Sequence, residues 1–296
     1  MPEPRPRICD YEGSNYRTAF WEGKDRDYED RVEREVLRRL LPPGGKRLLE
    51  IGAGFGRLTS EYDSFDQVVL MDYSLSQLQY AQEHLGRSSR FVYVAADAYH
   101  LPFADAVFDA ATMIRVLHHM ADVPAVLSQI RRVMARDAVF MLEHANKRHL
   151  KAILRYVLKR QTWNPFDQEP VEFVELNFDF HPAYLQQELN RASFEIVDRV
   201  PVSFFRMGLL KRLVPTDWLV SADGVMQKSG LAYSPSLFIK AVAGGSTAIN
   251  VDAADIFVCP ESGGPLRQEE DTLVSEITGN RWAIRDGIYD FKAPLD

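Results

Sequence analysis

Apolar residues along this chain follow two alternating rhythms. Short, mostly apolar runs at 48–51, 68–71, 91–95, 108–114 and 138–142 have the length of buried strands, and most are bounded by Gly or Asp. Between them the apolar positions fall three and four apart. Residues 28–41 place Val32, Val36, Leu37, Leu40 and Leu41 on one helical face, and Pro42-Pro43-Gly44-Gly45 ends that helix. Residues 74–85 do the same with Leu75, Leu78, Ala81 and Leu85, and 123–134 reads as a third helix. Further on, 181–192 predicts a helix, 194–200 a sixth strand and 236–242 a closing strand. Strand alternating with helix argues an α/β doubly wound sheet, whose ligands sit outside the carboxyl ends of the strands.

Candidate chemistry gathers at that edge. Residues 48–56 read as a strand that ends in a glycine turn and opens a helix, with Gly52, Gly54 and Gly56 at alternate positions. Glycine permits a sharp turn and leaves no side chain between backbone and ligand. Glu50 precedes the first glycine by two residues, where dinucleotide loops usually carry an apolar residue. Asp72 ends the second strand, placed to accept hydrogen bonds from both ribose hydroxyls of an adenosine. Asp97 ends the third strand, where it faces the adenine amino group. For all three carboxylates the alternative is a cap or turn residue. His118, His119, Glu143 and His144 lie near the same edge as candidate bases. Tyr16, Phe20 and Trp21 form an aromatic cluster that either closes over a ligand or packs on the core.

Composition narrows the partners. At 296 residues the chain has room for a large domain and an appendage, and 46% hydrophobic with 26% charged residues is ordinary for a soluble protein. No apolar run approaches the roughly 20 residues of a membrane span. Met1 to Arg7 alternates Pro with Arg or Glu and lacks an apolar core, so a cytoplasmic location is expected. Cys9 and Cys259 fit a reducing compartment better than a disulfide framework. A net charge of −7 repels a phosphate backbone and disfavours nucleic acid as partner.

Four blocks in register resemble a class I S-adenosylmethionine-dependent methyltransferase of the ubiquinone and menaquinone biosynthetic group: LEIGAGFGRL from residue 49, the strand-end Asp72, the Ala-Asp-Ala with Leu-Pro-Phe and Phe-Asp run, and Val-Leu-His-His at 116–119. The resemblance covers about 28–144. It implies a Rossmann-like, seven-stranded, mostly parallel sheet and S-adenosyl-L-methionine as cofactor. Glu50, Gly52, Ala53, Gly54 and Gly56 would surround the methionine part, Asp72 with Tyr73 the ribose, Asp97 and Ala98 the adenine, and Ile114 and Arg115 the sulfonium. A cleft with three carboxylates suits this cationic, phosphate-free cofactor. His118, His119 and His144 are the catalytic candidates for an acceptor that must lose a proton. Arg136-Asp137 departs from the group's usual Pro-Gly-Gly turn, away from the ligand edge.

Two insertions, about 145–180 and 201–233, exceed what connections need. Residues 147–160 read as a basic amphipathic helix, with Leu150, Ile153, Leu154, Val157 and Leu158 apolar, and 204–214 as a shorter one carrying Arg206, Lys211 and Arg212. Either they form a lid over an anionic or membrane-held acceptor, or they are solvated faces of core-packed helices, with peripheral membrane contact the less favoured role. After a break at 244–247, residues 253–296 form a small β-rich tail. Its Cys259-Pro260 and Asp286-Gly287-Ile288 resemble the zinc-ribbon-like activator subunits of certain methyltransferases, but Ser262 stands where a paired cysteine is expected. A metal-free module packed by Phe257, Leu266, Leu273, Trp282, Ile284 and Ile288 follows. The methyltransferase domain would span 1–245. A small-molecule or lipid-like acceptor is expected, with a macromolecular partner served by the tail as the alternative.

Overall fold

The computed structural model describes residues 6–14, 21, 26–245, 250 and 255–295. Tyr16 and Phe20 of the aromatic cluster lie outside these residues. Helix α1 (Asp27–Leu40) leads into β1 (Gly45–Ile51), β2 (Phe65–Asp72), α2 (Leu75–Leu85), β3 (Phe91–Ala95), β4 (Phe108–Met113), α3 (Val123–Val133) and β5 (Met134–Ala145). Strands β1 to β5 pair with one another in parallel. Period-two alternation splits each of them between two cores. Leu49, Ile51, Val69 and Met71 face α3 and its neighbours on one side, while Leu48, Val68 and Leu70 face α1 and α2 on the other.

The insertions carry α4 (Leu150–Val157), a hairpin of β6 (Val171–Val174) and β7 (Asn177–Asp179), α6 (Gly208–Leu213) and α7 (Thr216–Gln227). Around them run α5 (Pro182–Arg191), β8 (Phe194–Val202) and β9 (Ser236–Ala243), the last antiparallel to both β5 and β8. The seven expected strands stand in the order β3-β2-β1-β4-β5-β9-β8. Four more from the tail, β10 (Leu266–Glu269), β11 (Thr272–Ser275), β12 (Arg281–Arg285) and β13 (Ile288–Asp290), extend that sheet to eleven. The seven-strand expectation is therefore too small: β13 pairs in parallel with β3, Ile288 opposite Tyr93, so the tail continues the main sheet. Leu273, Trp282 and Ile288 are buried as expected, with Phe257, Leu266 and Ile284 packed against the same cores.

Three local expectations change. The bend at Arg136-Asp137 lies inside β5, where Asp137 takes φ 65° and the pairing with β4 shifts register. The second basic helix is shorter than its pattern, beginning only at Gly208 and leaving Arg206 in the preceding loop. Helix α4 is not core-packed on its apolar face: Leu150, Leu154 and Val157 are all more than half exposed, and only Ala152 is buried.

Candidate active site

The three glycines of the loop after β1 serve different ends. Gly52 has φ +69°, and a Cβ there would lie 2.1 Å from Val116 Cγ2, so its bare backbone is demanded by packing. A Cβ on Gly56 would meet Leu85 Cδ1 at 2.9 Å, so this glycine lets α2 approach the loop. Only Gly54, φ +53°, faces open space. Gly52→Ala is accordingly expected to lower the unfolding free energy by about 2–4 kcal/mol, read by urea titration. Gly54→Ala should cost only about 1 kcal/mol while obstructing the cleft.

Asp72 closes β2 and ties the loop down. Its Oδ2 accepts from Gly54 N at 2.8 Å and its Oδ1 from Ser74 N at 2.9 Å, at the start of α2. Burial raises its pKa while the backbone N–H groups pull it back down, and the residue keeps part of its surface in the cleft. Asp97 holds its own turn, accepting from Tyr99 N at 2.9 Å and lying 3.1 Å from His100 Nδ1. It still lines the cleft with Ala98 and Tyr73.

Two cavities adjoin at this edge. The first, about 770 Å³, is lined by Gly52, Gly54, Asp72, Tyr73, Asp97, Ala98, Arg115 and His119. It is also walled by Ile8, Cys9 and Tyr11 of the N-terminal segment, which sequence reasoning missed because nothing periodic marks them. The second, about 450 Å³, is lined by Trp21, Glu50, Ala53, Arg57, Thr112, Ile114 and Arg115. Gly52, Gly54 and Arg115 belong to both, so the two form one continuous cleft. Trp21 caps the second cavity with Arg57 stacked on its ring at 3.8 Å.

Glu50 lies buried at the floor of the second cavity, accepting from Thr59 Oγ1 at 2.7 Å. Burial pushes its pKa up to about 7, against the opposing pull of the Thr59 hydroxyl and Arg57. Behind the cleft, Glu33 of α1 is fully buried between two guanidiniums: Arg57 Nη2 at 2.7 Å from Oε2, and Arg115 Nη2 hydrogen-bonded to Oε1. Burial would raise the Glu33 pKa, but Arg115 and Arg57 outweigh it and hold it at about 2. The sequence pattern placed the α1 face through its aliphatic residues and gave no sign of this acid, whose partners lie far along the chain.

The candidate bases separate. His144 has no exposure, its Nδ1 is 3.0 Å from Ala145 O, and burial lowers its pKa to about 4. Strand alternation turns it into the interior, so it does not reach the cleft. Glu143 is also buried, accepting from the Arg115 backbone N–H at 2.9 Å and from the Ser236 hydroxyl. His119 lines the cleft but is clamped: Nδ1 donates to Leu176 O at 2.8 Å and Nε2 accepts from the Tyr11 hydroxyl at 3.2 Å. His118 makes no hydrogen bond among the described residues. Its pKa is pushed well down by burial and then by the neighbouring His119, Arg115 and Arg206, so it is neutral at pH 7. Cys9 and Cys259 are free thiols.

A doubly wound sheet with a cleft at its carboxyl edge defines a Rossmann-like fold. A family model described as a methyltransferase domain matches residues 49–142. Over 144 residues the chain is 33% identical to the O-methyltransferase cnsE of Penicillium expansum, covering 45% of this chain and 51% of that protein. Over 107 residues it is 37% identical to a demethylmenaquinone methyltransferase of Corynebacterium kroppenstedtii, covering 36% and 44%. The chain thus spans about half the length of the curated relatives it matches. A crystal structure of an S-adenosylmethionine dependent methyltransferase from Listeria monocytogenes superposes with TM-score 0.52 at 15% identity, over 74% of this chain and 99% of that one. The fold is therefore the α/β Rossmann-like fold of S-adenosylmethionine-dependent methyltransferases.

Proposed function

We propose that the protein is an S-adenosylmethionine-dependent methyltransferase that moves a methyl group by in-line displacement to a small-molecule acceptor. The observation that carries this reading is the continuous cleft with Glu50 in one cavity and Asp72 in the other, joined at Gly54. A cofactor with an ammonium at one end and a ribose at its middle fits that spacing of charge, and a pyrophosphate does not. S-adenosylmethionine supplies an electrophilic methyl carbon when bound. Glu50 holds its ammonium, Asp72 its ribose hydroxyls, and Asp97 with Ala98 borders its adenine, while Ile114 and Arg115 flank the junction of the two cavities. Ile8, Cys9 and Tyr11 at one end and Trp21 at the other exclude water, which alignment of the reacting groups requires.

We assign the base role for a hydroxyl acceptor to His118, whose ring makes no hydrogen bond among the described residues although it lines neither cavity, because His119 is clamped and His144 is sealed. A lipid-like acceptor is supported by the exposed Leu150, Leu154 and Val157 of α4 and Leu209 and Leu213 of α6. Each of these helices also carries basic residues, Lys151 and Arg155 on α4 and Arg212 on α6, a combination suited to peripheral contact with an anionic membrane. No helix among the described residues is long and apolar enough to cross one. We divide the chain into a catalytic domain, 1–245, and an edge-closing module, 253–296.

Isothermal titration with S-adenosylhomocysteine tests the reading. Wild-type protein is expected to bind, and Asp72→Ala to raise Kd by about 10- to 100-fold, as loss of a hydrogen bond to a charged group implies. No binding by the wild type would overturn it.

A further inference from the structure

Arg206 is the anomaly of the molecule. Its Nε and Nη2 atoms are buried and make no hydrogen bond, and no ion pair to it exists among the described residues. The loop that carries it is held firmly on its N-terminal side. Phe204 N donates to Asp223 Oδ2 at 2.9 Å and Phe205 N to the Tyr28 hydroxyl at 3.0 Å, while Tyr28 and Asp223 are themselves hydrogen-bonded in the core between α1 and α7. The guanidinium is therefore placed, with its Nε and Nη2 edge left without a hydrogen-bond partner.

The acids that feel its charge are Glu29, Glu33, Glu143 and Asp179. Glu29 accepts from Lys211 Nζ at 2.9 Å, Glu33 from Arg57 and Arg115, and Glu143 from Arg115 N and Ser236. Asp179 makes no hydrogen bond to it. Arg115, which lines the cofactor cleft, and His118 feel the same charge, while Arg206 itself lines neither cavity. An unpaired buried guanidinium is costly unless something that comes and goes completes it.

Nε and Nη2 form one edge of the guanidinium, offering two coplanar donors. That edge matches the two coplanar oxygens of a carboxylate. A phosphate would bring a third oxygen and more charge into a buried setting whose next guanidinium, Arg115, is already bound to Glu33. We propose that Arg206 seats a carboxylate of the methyl acceptor, so that the acceptor is an organic acid. This rests on the methyltransferase reading for the word acceptor, but the anion site stands on its own geometry.

The test compares wild type with Arg206→Met in the full chain, using decanoate as probe beside decan-1-ol and decyl phosphate. Removing a buried unpaired charge should raise the Tm of the unliganded protein by about 2–4 °C per kcal/mol gained, the reverse of what a structural arginine would show. S-adenosylhomocysteine affinity should stay within about twofold. Decanoate binding to the loaded protein, followed by titration calorimetry, should weaken by about 10- to 100-fold, with decan-1-ol not binding through this site in either protein. A fall in Tm for Arg206→Met would assign the residue to the fold and overturn the proposal. So would an equal loss of S-adenosylhomocysteine affinity, which would give Arg206 to the cofactor, or tighter binding of decyl phosphate than of decanoate. If wild type failed to bind S-adenosylhomocysteine, the methyltransferase reading would fall, and the Tm and decanoate measurements on unliganded protein would still decide the anion site.

Discussion

Glu33→Gln should lower the unfolding free energy by about 3–5 kcal/mol at pH 7, because truncating one member of a buried charge network leaves the others uncompensated. The carboxylate has no exposure and faces Arg57 and Arg115 together, so a neutral amide would confront two guanidiniums that anchor the cleft. The same residue sets an acid limit. Its pKa in the fold is about 2, below the ordinary 4.5, so its stabilisation is fully present above about pH 4.5 and is lost as pH falls towards 2. That contribution is about 3 kcal/mol by linkage. Urea titrations of wild type and variant at pH 7, 4 and 3 would show the wild type losing stability over that window and the variant changing less. Equal slopes for the two proteins would rule out Glu33 as the source.

The second large effect belongs to Glu50. With a pKa of about 7 it is half protonated in the unliganded protein near neutrality, and on the proposal that it holds the cofactor ammonium, binding selects the ionised form. Cofactor affinity should therefore rise up to tenfold per pH unit below about 7 and level off above it, with about one proton released at pH 6. Titration calorimetry in buffers of different ionisation enthalpy reads that proton directly. Glu50→Gln should abolish the proton release, and Glu50→Ala should weaken binding by about 2–5 kcal/mol. The stability slope is opposite to that of Glu33: the fold favours the neutral acid, so unliganded stability declines as pH rises from about 4.5 to 7. A proton count independent of Glu50→Gln would sink the assignment.

The elements around the cleft edge were readable because each buried strand is a compact, mostly apolar run, and those of β2 and β3 are followed by the carboxylates Asp72 and Asp97 that line the cleft. Periodicity likewise placed α1 and α2 almost to the residue. What periodicity cannot show is a polar side chain whose partner is distant in sequence. Glu33 scans as an ordinary helical acid until Arg57 and Arg115 are folded against it. Arg206 scans as one more basic position beside Lys211 and Arg212, because nothing linear reveals that the helix starts only at Gly208. His144 is the converse case: its position at a strand end suggested the cleft, but alternation along β5 points it inward. For α4 the sequence left a lid and a core-packed helix both open, because its spacing shows an apolar face but not what covers it, and the fold leaves that face in solvent.

The pairing of β13 with β3 bears on how the fold is reached. Strand β3 is hydrogen-bonded on one side by β2, its near neighbour in the chain, and on the other by residues that come nearly two hundred positions later. Closing so long a loop is entropically slow relative to the local strand-helix units. Until it closes, β3 presents a bare row of backbone donors and acceptors, a template on which another chain could add. The late strand thus acts as an internal guard on assembly, and its docking marks the point at which the nascent sheet stops being vulnerable to self-association.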